Sequence, residues 1–218
     1  YNDTCPQFSQ IIRDIVTRKQ IMSPTTVIAT LRLFLHDCLL PNDCDASILL
    51  SSIAFSKVER NANINHSLPS DTFDLIIRAK AALELSCPNT ISCSNILFDA
   101  TCDLLTMLGG PFFLVFLGRC NGQTSLAFAV SSHLSTPSMP ISQITQLFAK
   151  CGFTVEEFVA LSGAHTIEFS HCFEFVTNLS NNTSSSYNPR YAQGLQKACA
   201  DYKTNPTLSV FNDIMTSN

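Results

Sequence analysis

Arg32 and His36 lie in the run Leu31-Arg32-Leu33-Phe34-Leu35-His36-Asp37-Cys38. They are one helical turn apart, so a fixed cation and a group that titrates near neutrality share one face. A guanidinium buried unpaired among Leu31, Leu33, Phe34 and Leu35 would be costly, and a site that needs the charge gives a reason to keep it there. The pair could move a proton through His36 while Arg32 stabilises a departing oxyanion. Downstream, Leu161-Ser162-Gly163-Ala164-His165-Thr166-Ile167 offers a histidine just beyond a helix end. Two such imidazoles could clamp a planar metal cofactor from opposite sides. Taken singly, each is more often a hydrogen-bonded structural histidine. A zinc site from His165, His171 and Cys172 lacks a fourth ligand at finger-like spacing.

The elements that must position these residues are mostly helical. Phe8, Ile11, Ile12, Ile15 and Val16 repeat at three and four residues. Ser23-Pro24 reads as a cap and first-turn proline before Val27, Leu31, Leu35 and Cys38. Phe73, Ile76, Ile77 and Lys80 mark a helix over 71–85, and 93–108 is apolar enough to be buried on several faces before Gly109-Gly110 stops it. Phe112 to Leu117 reads as a short extended piece between Pro111 and Gly118. Helices follow at 142–151 and 154–161. The second has a capping box, Thr154 with Glu157, and Gly163 at a left-handed terminus. Residues 173–198 read as a polar loop with a weak helix around 191–198. There are no internal repeats and no domain linker, and the class is mainly α.

The 218 residues are 45% hydrophobic and only 14% charged, with a net charge of −4. That suits a large buried core and argues against nucleic-acid or anionic-membrane partners. No apolar run reaches the roughly 18 residues that a membrane span needs. The opening Tyr1-Asn2-Asp3-Thr4-Cys5 reads as that of a mature or trimmed chain. Ten cysteines without a repeated CxxC pair, and sequons at Asn2, Asn178, Asn181 and Asn182, favour an oxidising secretory route. The Asn, Ser and Thr cluster from Asn178 to Ser184 reads as an exposed glycosylated loop.

Several ordered motifs converge on one family. They are Leu68-Pro69-Ser70-Asp71-Thr72-Phe73-Asp74-Leu75-Ile76-Ile77-Arg78-Ala79-Lys80, Cys44-Asp45-Ala46-Ser47-Ile48-Leu49, Cys87-Pro88-Asn89-Thr90-Ile91-Ser92-Cys93, Leu117-Gly118-Arg119, and the His165 segment followed by His171-Cys172. With Arg32 and His36, the chain resembles the class III secretory plant haem peroxidases from end to end. The resemblance implies a fold of two mostly helical lobes with haem between them, residues 1–130 being mostly the distal lobe and 131–218 part of the proximal one.

It also implies an activity: reduction of hydrogen peroxide with one-electron oxidation of small phenolic donors, using haem b. His165 would be the axial iron ligand, His36 the distal acid/base and Arg32 the distal cation. Asn65 would accept the other ring N–H of His36, leaving its sequon Asn65-His66-Ser67 unused, because a buried hydrogen-bonding amide cannot carry a glycan. Two calcium ions are implied as well. Asp37, Asp45, Ser47 and Glu59 match the distal site; Thr166, Asp213 and Thr216 match part of the proximal one. Read singly, these residues are caps and turn formers. The resemblance pairs Cys5 with Cys87, Cys38 with Cys44 and Cys172 with Cys199. Cys102, Cys120 and Cys151 fall outside that framework as buried or free thiols. A secreted monomer, in the extracellular space or cell wall with the vacuole as the other address, is the implied form.

The departures from the family are specific. Leu35 stands where Phe usually sits beside the distal histidine, loosening the cover over the haem. Five residues separate Cys38 from Cys44, one more than usual, and Asp43 replaces a glycine, which disturbs the distal calcium loop. Asn95 replaces an aspartate that normally forms an ion pair with an arginine near Arg119. Ser135 replaces a proline of the aromatic donor site, and Glu168-Phe169 replaces Gly-Arg or Gly-Phe. The chain stops at Asn218 where the family continues through further helices, so it is expected to be C-terminally truncated. The partner of Cys93, the remaining proximal calcium ligands and the aspartate that accepts the axial histidine's N–H would be absent. The alternative is therefore a non-catalytic, truncated secreted relative that binds haem or a partner without efficient turnover.

Overall fold

The computed structural model describes residues 1, 3–40, 44–52, 56–136, 139–163, 169–180, 188–205 and 208–211. Nine α-helices and one two-stranded sheet occur among them, so the mainly α expectation holds. The chain divides into two compact units, Tyr1–Leu134 and Ser135–Asn218.

The first unit is built on four helices: α1 (Phe8–Met22), α2 (Thr26–Cys38), α3 (Ser70–Ser86) and α4 (Cys93–Met107). α1 buries Phe8, Ile12 and Val16, one residue per turn, so a single apolar stripe faces the core. α4 buries Ile96, Leu97, Ala100 and Leu104 on adjoining faces, as its apolar sequence requires. Ser92 caps it by accepting from the Asn95 N–H, and Leu108 and Gly109, at φ +87°, end it. α3 turns Phe73, Ile76, Ala79 and Leu83 inward. Ile77, expected inside, is 63% exposed, because it lies about 100° round the helix from Ile76. Three short 3-10 turns, Ser47–Leu49, Glu59–Asn61 and Asn63–Ser67, carry the chain from α2 to α3. A smaller cluster of Leu40, Val130 and Leu134 forms beside them, around α5 (Ala127–Val130).

α2 departs from its expected start. Thr26 is its first residue, with Thr25 as cap, while Ser23 accepts from the Thr26 N–H in the preceding turn. Its buried stripe runs through Val27, Thr30, Leu33 and Asp37, leaving Leu31 and Leu35 half-buried. Phe112 to Leu117 forms no ladder, and Phe112, Leu114 and Phe116 are exposed. The apolar run lacks a partner strand among the described residues.

The second unit contains α6 (Ile141–Lys150), α7 (Val155–Gly163), α8 (Cys172–Ser180) and α9 (Pro189–Ala198). Phe148 of α6 packs on Phe153 and Phe158. The Thr154 capping box forms: the Glu157 N–H donates to Thr154 Oγ1 at 3.2 Å, and the Thr154 N–H donates to Glu157 Oε2 at 2.8 Å. Gly163 is itself helical and does not take a left-handed φ. Residues 173–180, expected as loop, are helical, because Cys172, Phe175, Val176 and Leu179 give that stretch its own apolar stripe. Asn188 and Pro189 start α9 as cap and first-turn proline. β1 (Phe169–His171) pairs antiparallel with β2 (Ser209–Phe211).

All three expected disulfides form: Cys5–Cys87, Cys38–Cys44 and Cys172–Cys199. Cys93, Cys102, Cys120 and Cys151 are outside disulfides, with Cys102 buried and Cys120 and Cys151 exposed. Cys172 is therefore taken by sulfur, and His171 Nδ1 lies 2.8 Å from Ser209 Oγ, which removes the zinc reading.

Candidate active site

Arg32 and His36 project from consecutive turns of α2 and are both half-buried. His36 Nδ1 lies 2.6 Å from Asn65 Oδ1. The amide's orientation follows from its other end. Asn65 Nδ2 donates to the Glu59 carbonyl at 2.8 Å, and a carbonyl only accepts, so the oxygen faces the imidazole. Nδ1 of a neutral His36 must then carry the proton, and the basic lone pair falls on Nε2. Asn65 is 2% exposed with both amide atoms engaged, so its sequon is sterically closed.

Arg32 is not the unpaired buried guanidinium expected from its neighbours. Its Nη2 donates to Ser67 Oγ at 2.6 Å and its Nη1 to the Ser67 carbonyl at 3.5 Å. Ser67 in turn donates to the Ile64 carbonyl at 2.8 Å. The 3-10 turn Asn63–Ser67 thus holds both ends of the constellation, Asn65 for His36 and Ser67 for Arg32. Leu35, between them in sequence, is half-buried.

Directly behind His36 lies an acidic cluster. Asp37 is 2% exposed and accepts from the Ala46 N–H at 2.9 Å and the Ile48 N–H at 3.4 Å. Cys44 and Ala46 adopt left-handed φ of 61°, a strained choice for residues with a Cβ, and this bends the loop over the Asp37 carboxylate. Burial pushes the Asp37 carboxyl up to about 7; the two N–H bonds oppose this, and Asp45 and Glu59 add to it. Burial also raises Glu59, which is 3% exposed, against the Ser47 hydroxyl that donates to it at 2.9 and 3.1 Å. Asp45 closes a tight turn by accepting from the Ser47 N–H at 2.9 Å.

Three carboxylates thus gather round Ser47, and no ion pair links them to a lysine or arginine among the described residues. Hard oxygen donors with uncompensated negative charge suit a divalent cation such as calcium. Among the described residues no three acidic, His or Cys side chains converge into a ready cage, so loop oxygens would have to complete one. The departures at Pro41 to Asp43 lie outside the described residues, as do His165, Thr166, Asp213 and Thr216.

Three further residues that build the site carry no motif signal strong enough to have singled them out. Ser67 anchors Arg32. Ser125, 7% exposed, accepts from the Glu59 N–H at 3.0 Å. Gly122 donates its N–H to the Asp45 carbonyl at 2.7 Å, and a Cβ there would fall 2.2 Å from Asp45 Oδ2. The Asn121-Gly122 dipeptide is the sequence cue that could have marked it. Asn95, fully buried, bonds through a neutral amide. Its Oδ1 accepts from the Gly118 and Arg119 N–H groups at 3.1 and 3.3 Å, while the Arg119 guanidinium stacks 3.7 Å over Phe98. Ser135 is half-buried at the first position of the second unit.

Comparison with known proteins concerns the chain as a whole. A family model described as "Peroxidase" matches residues 8–218. From Arabidopsis thaliana, Peroxidase 31 is 58% identical over the whole chain, which covers 68% of that relative. Peroxidase 63 is 56% identical over the whole chain and 66% of its own length, and Peroxidase 65 is 48% identical over 99% of the chain and 65% of its own. The chain therefore spans about two thirds of the length of these relatives.

Proposed function

The chain belongs to the peroxidase family, and on that premise we propose that it acts as a haem-dependent peroxidase, reducing hydrogen peroxide at the expense of small phenolic donors. The observation that carries this reading is the Glu59–Asn65–His36 relay, which puts the basic lone pair on Nε2 of an imidazole one helical turn from Arg32. Haem b, when bound, would supply the iron that receives the peroxide and the redox equivalents passed on to the donor.

The chain's own residues would do the rest. His36 Nε2 takes the proton from the inner peroxide oxygen and delivers it to the outer one, which leaves as water. The Asn65 oxygen keeps Nδ1 protonated throughout and so preserves the direction of transfer. Arg32 stabilises the negative charge that builds on the departing oxygen, and Ser67 holds its guanidinium in place. On the proximal side we assign His165 as axial ligand from the motif it matches. Leu35 and Ser135 would shape access for peroxide and the aromatic donor.

Calcium is proposed at Asp37, Asp45, Ser47 and Glu59, where it would compensate the clustered charge. Glu59 connects that site to the chemistry: its side chain belongs to the cluster, and its backbone carbonyl holds Asn65. A second, proximal calcium is proposed at Thr166, Asp213 and Thr216. Residues 1–130 and 131–218 are assigned to the distal and proximal lobes. Three disulfides fit an oxidising, secretory route, and the extracellular space or cell wall is the proposed destination of a monomeric chain. No helix among the described residues is long and apolar enough to cross a membrane.

Absorption spectroscopy of the purified chain with added haem and calcium tests the proposal, followed by peroxide and a phenol. A Soret band with turnover supports it. A band without turnover would favour the alternative, a haem-binding relative, and no band would remove the haem reading altogether.

A further inference from the structure

The seam between α1 and α4 carries a polar edge that the peroxidase reading does not use. Arg13 Nη2 donates to Asp103 Oδ1 at 3.2 Å, and Thr17 Oγ1 donates to Met107 Sδ at 3.9 Å. Ser9 faces Asp99 one turn earlier and acts to lower its carboxyl. The rungs 9/99, 13/103 and 17/107 keep a constant offset, so the two helices run parallel and in register along this edge. Asp99 and Asp103 occupy one face at i and i+4, where like charges repel.

Their environment makes that repulsion matter. Asp103 is 8% exposed, and its Oδ2 and the Oδ2 of Asp99 are buried without a hydrogen-bond partner among the described residues. One arginine, itself largely exposed, serves both acids and is bonded to Asp103. A buried carboxylate oxygen with no donor is costly, and a proton on Asp99 removes both its charge and the repulsion. The groups that act on Asp99 are Asp103 on its own helix and Ser9 and Arg13 on α1.

We propose that Asp99 and Asp103 form a proton-dependent latch between α4 and α1, in which Asp99 takes up a proton in mildly acidic solution and the neutral form tightens the seam. Burial, followed by the Asp103 charge, raises the Asp99 carboxyl from 3.8 to about 6, with Ser9 and Arg13 opposing. A folded-state value above the unfolded one means that the native state binds the proton more tightly. Stability is therefore gained as pH falls through about 6 and lost as it rises. Removing the carboxylate should change the unfolding equilibrium by roughly 10- to 100-fold at neutral pH, the lower figure allowing for solvent screening of a partly exposed group.

The test is urea unfolding of the calcium-loaded chain and of its Asp99→Asn and Asp103→Asn variants, from about pH 5 to about pH 8. Asp37 and Glu59 are common to all three proteins, so their titration cancels in the differences. Asp99→Asn should exceed the wild type least at the acid end and most at the alkaline end, and so show a flatter pH profile. Asp103→Asn should flatten the profile too, because Arg13 is then available to Asp99. Parallel pH profiles in the wild type and Asp99→Asn would overturn the latch. If either variant fails to fold, an NMR titration of the Asp99 side-chain carboxyl in the wild type decides. A midpoint near 6 supports the latch, and one at or below 3.8 contradicts it.

Discussion

His36 owes its proposed role to a residue that shares no helix with it. Asn65 is oriented by a carbonyl that can only accept, and this fixes which imidazole nitrogen is basic. Replacing Asn65 by Ala should leave the fold intact yet slow the reaction of the haem-loaded chain with peroxide by about 10- to 100-fold, the usual cost of losing such an orienting partner. Stopped-flow rates would measure it; wild-type rates in the variant would show that the amide does not orient the base. The sequence made Arg32 and His36 visible because their spacing is a helical turn. It could not show that Ser67 anchors the guanidinium, since a lone serine in a 3-10 turn has no periodic signature. Asn95 was visible as a departure, but its neutral bonding to the Gly118 and Arg119 backbone is a property of three-dimensional packing.

At the scale of elements, periodicity revealed most of what positions the site. α3, α4 and α6 fall close to their expected bounds, and α1 carries the expected apolar stripe, because each has one apolar face or a clear stop. The misreadings have physical causes. α8 was hidden by the Asn- and Ser-rich run that follows it, and α2 begins after Ser23-Pro24 because those residues complete a preceding turn. Cys5–Cys87 joins the segment before α1 to the end of α3 across 82 residues. Replacing both cysteines by Ser should destabilise the chain by about 2–5 kcal/mol, chiefly by releasing the unfolded chain from a long loop. Urea denaturation would show a lower midpoint; an unchanged midpoint would mean that packing of α1 against α3 and α4 suffices.

Over the molecule as a whole, the acidic cluster and the proposed base belong to one continuous construction running from Asp37 through Ser47 and Glu59 to Asn65 and His36. A cation at the cluster should therefore stabilise the fold and the site together. Millimolar calcium should raise the thermal midpoint of the wild-type chain relative to chelator, as any ligand specific to the native state does, and Asp37→Asn should abolish most of that gain. An equal gain in the variant would place the cation elsewhere. Family membership is legible from one end of the chain to the other, because the motifs are ordered along it, and the relatives match over that same length. The proposed ligands His165, Thr166, Asp213 and Thr216 are legible only as motifs, since those positions lie outside the described residues.

The most direct measurement is the single-turnover reaction of the haem-loaded chain with hydrogen peroxide, followed in the Soret region for the wild type and for His36→Leu. A rapid reaction is expected in the wild type and a rate about 10²–10⁴-fold lower in the variant, the contribution of a positioned acid/base group. Equal rates in the two proteins would contradict the role proposed for His36.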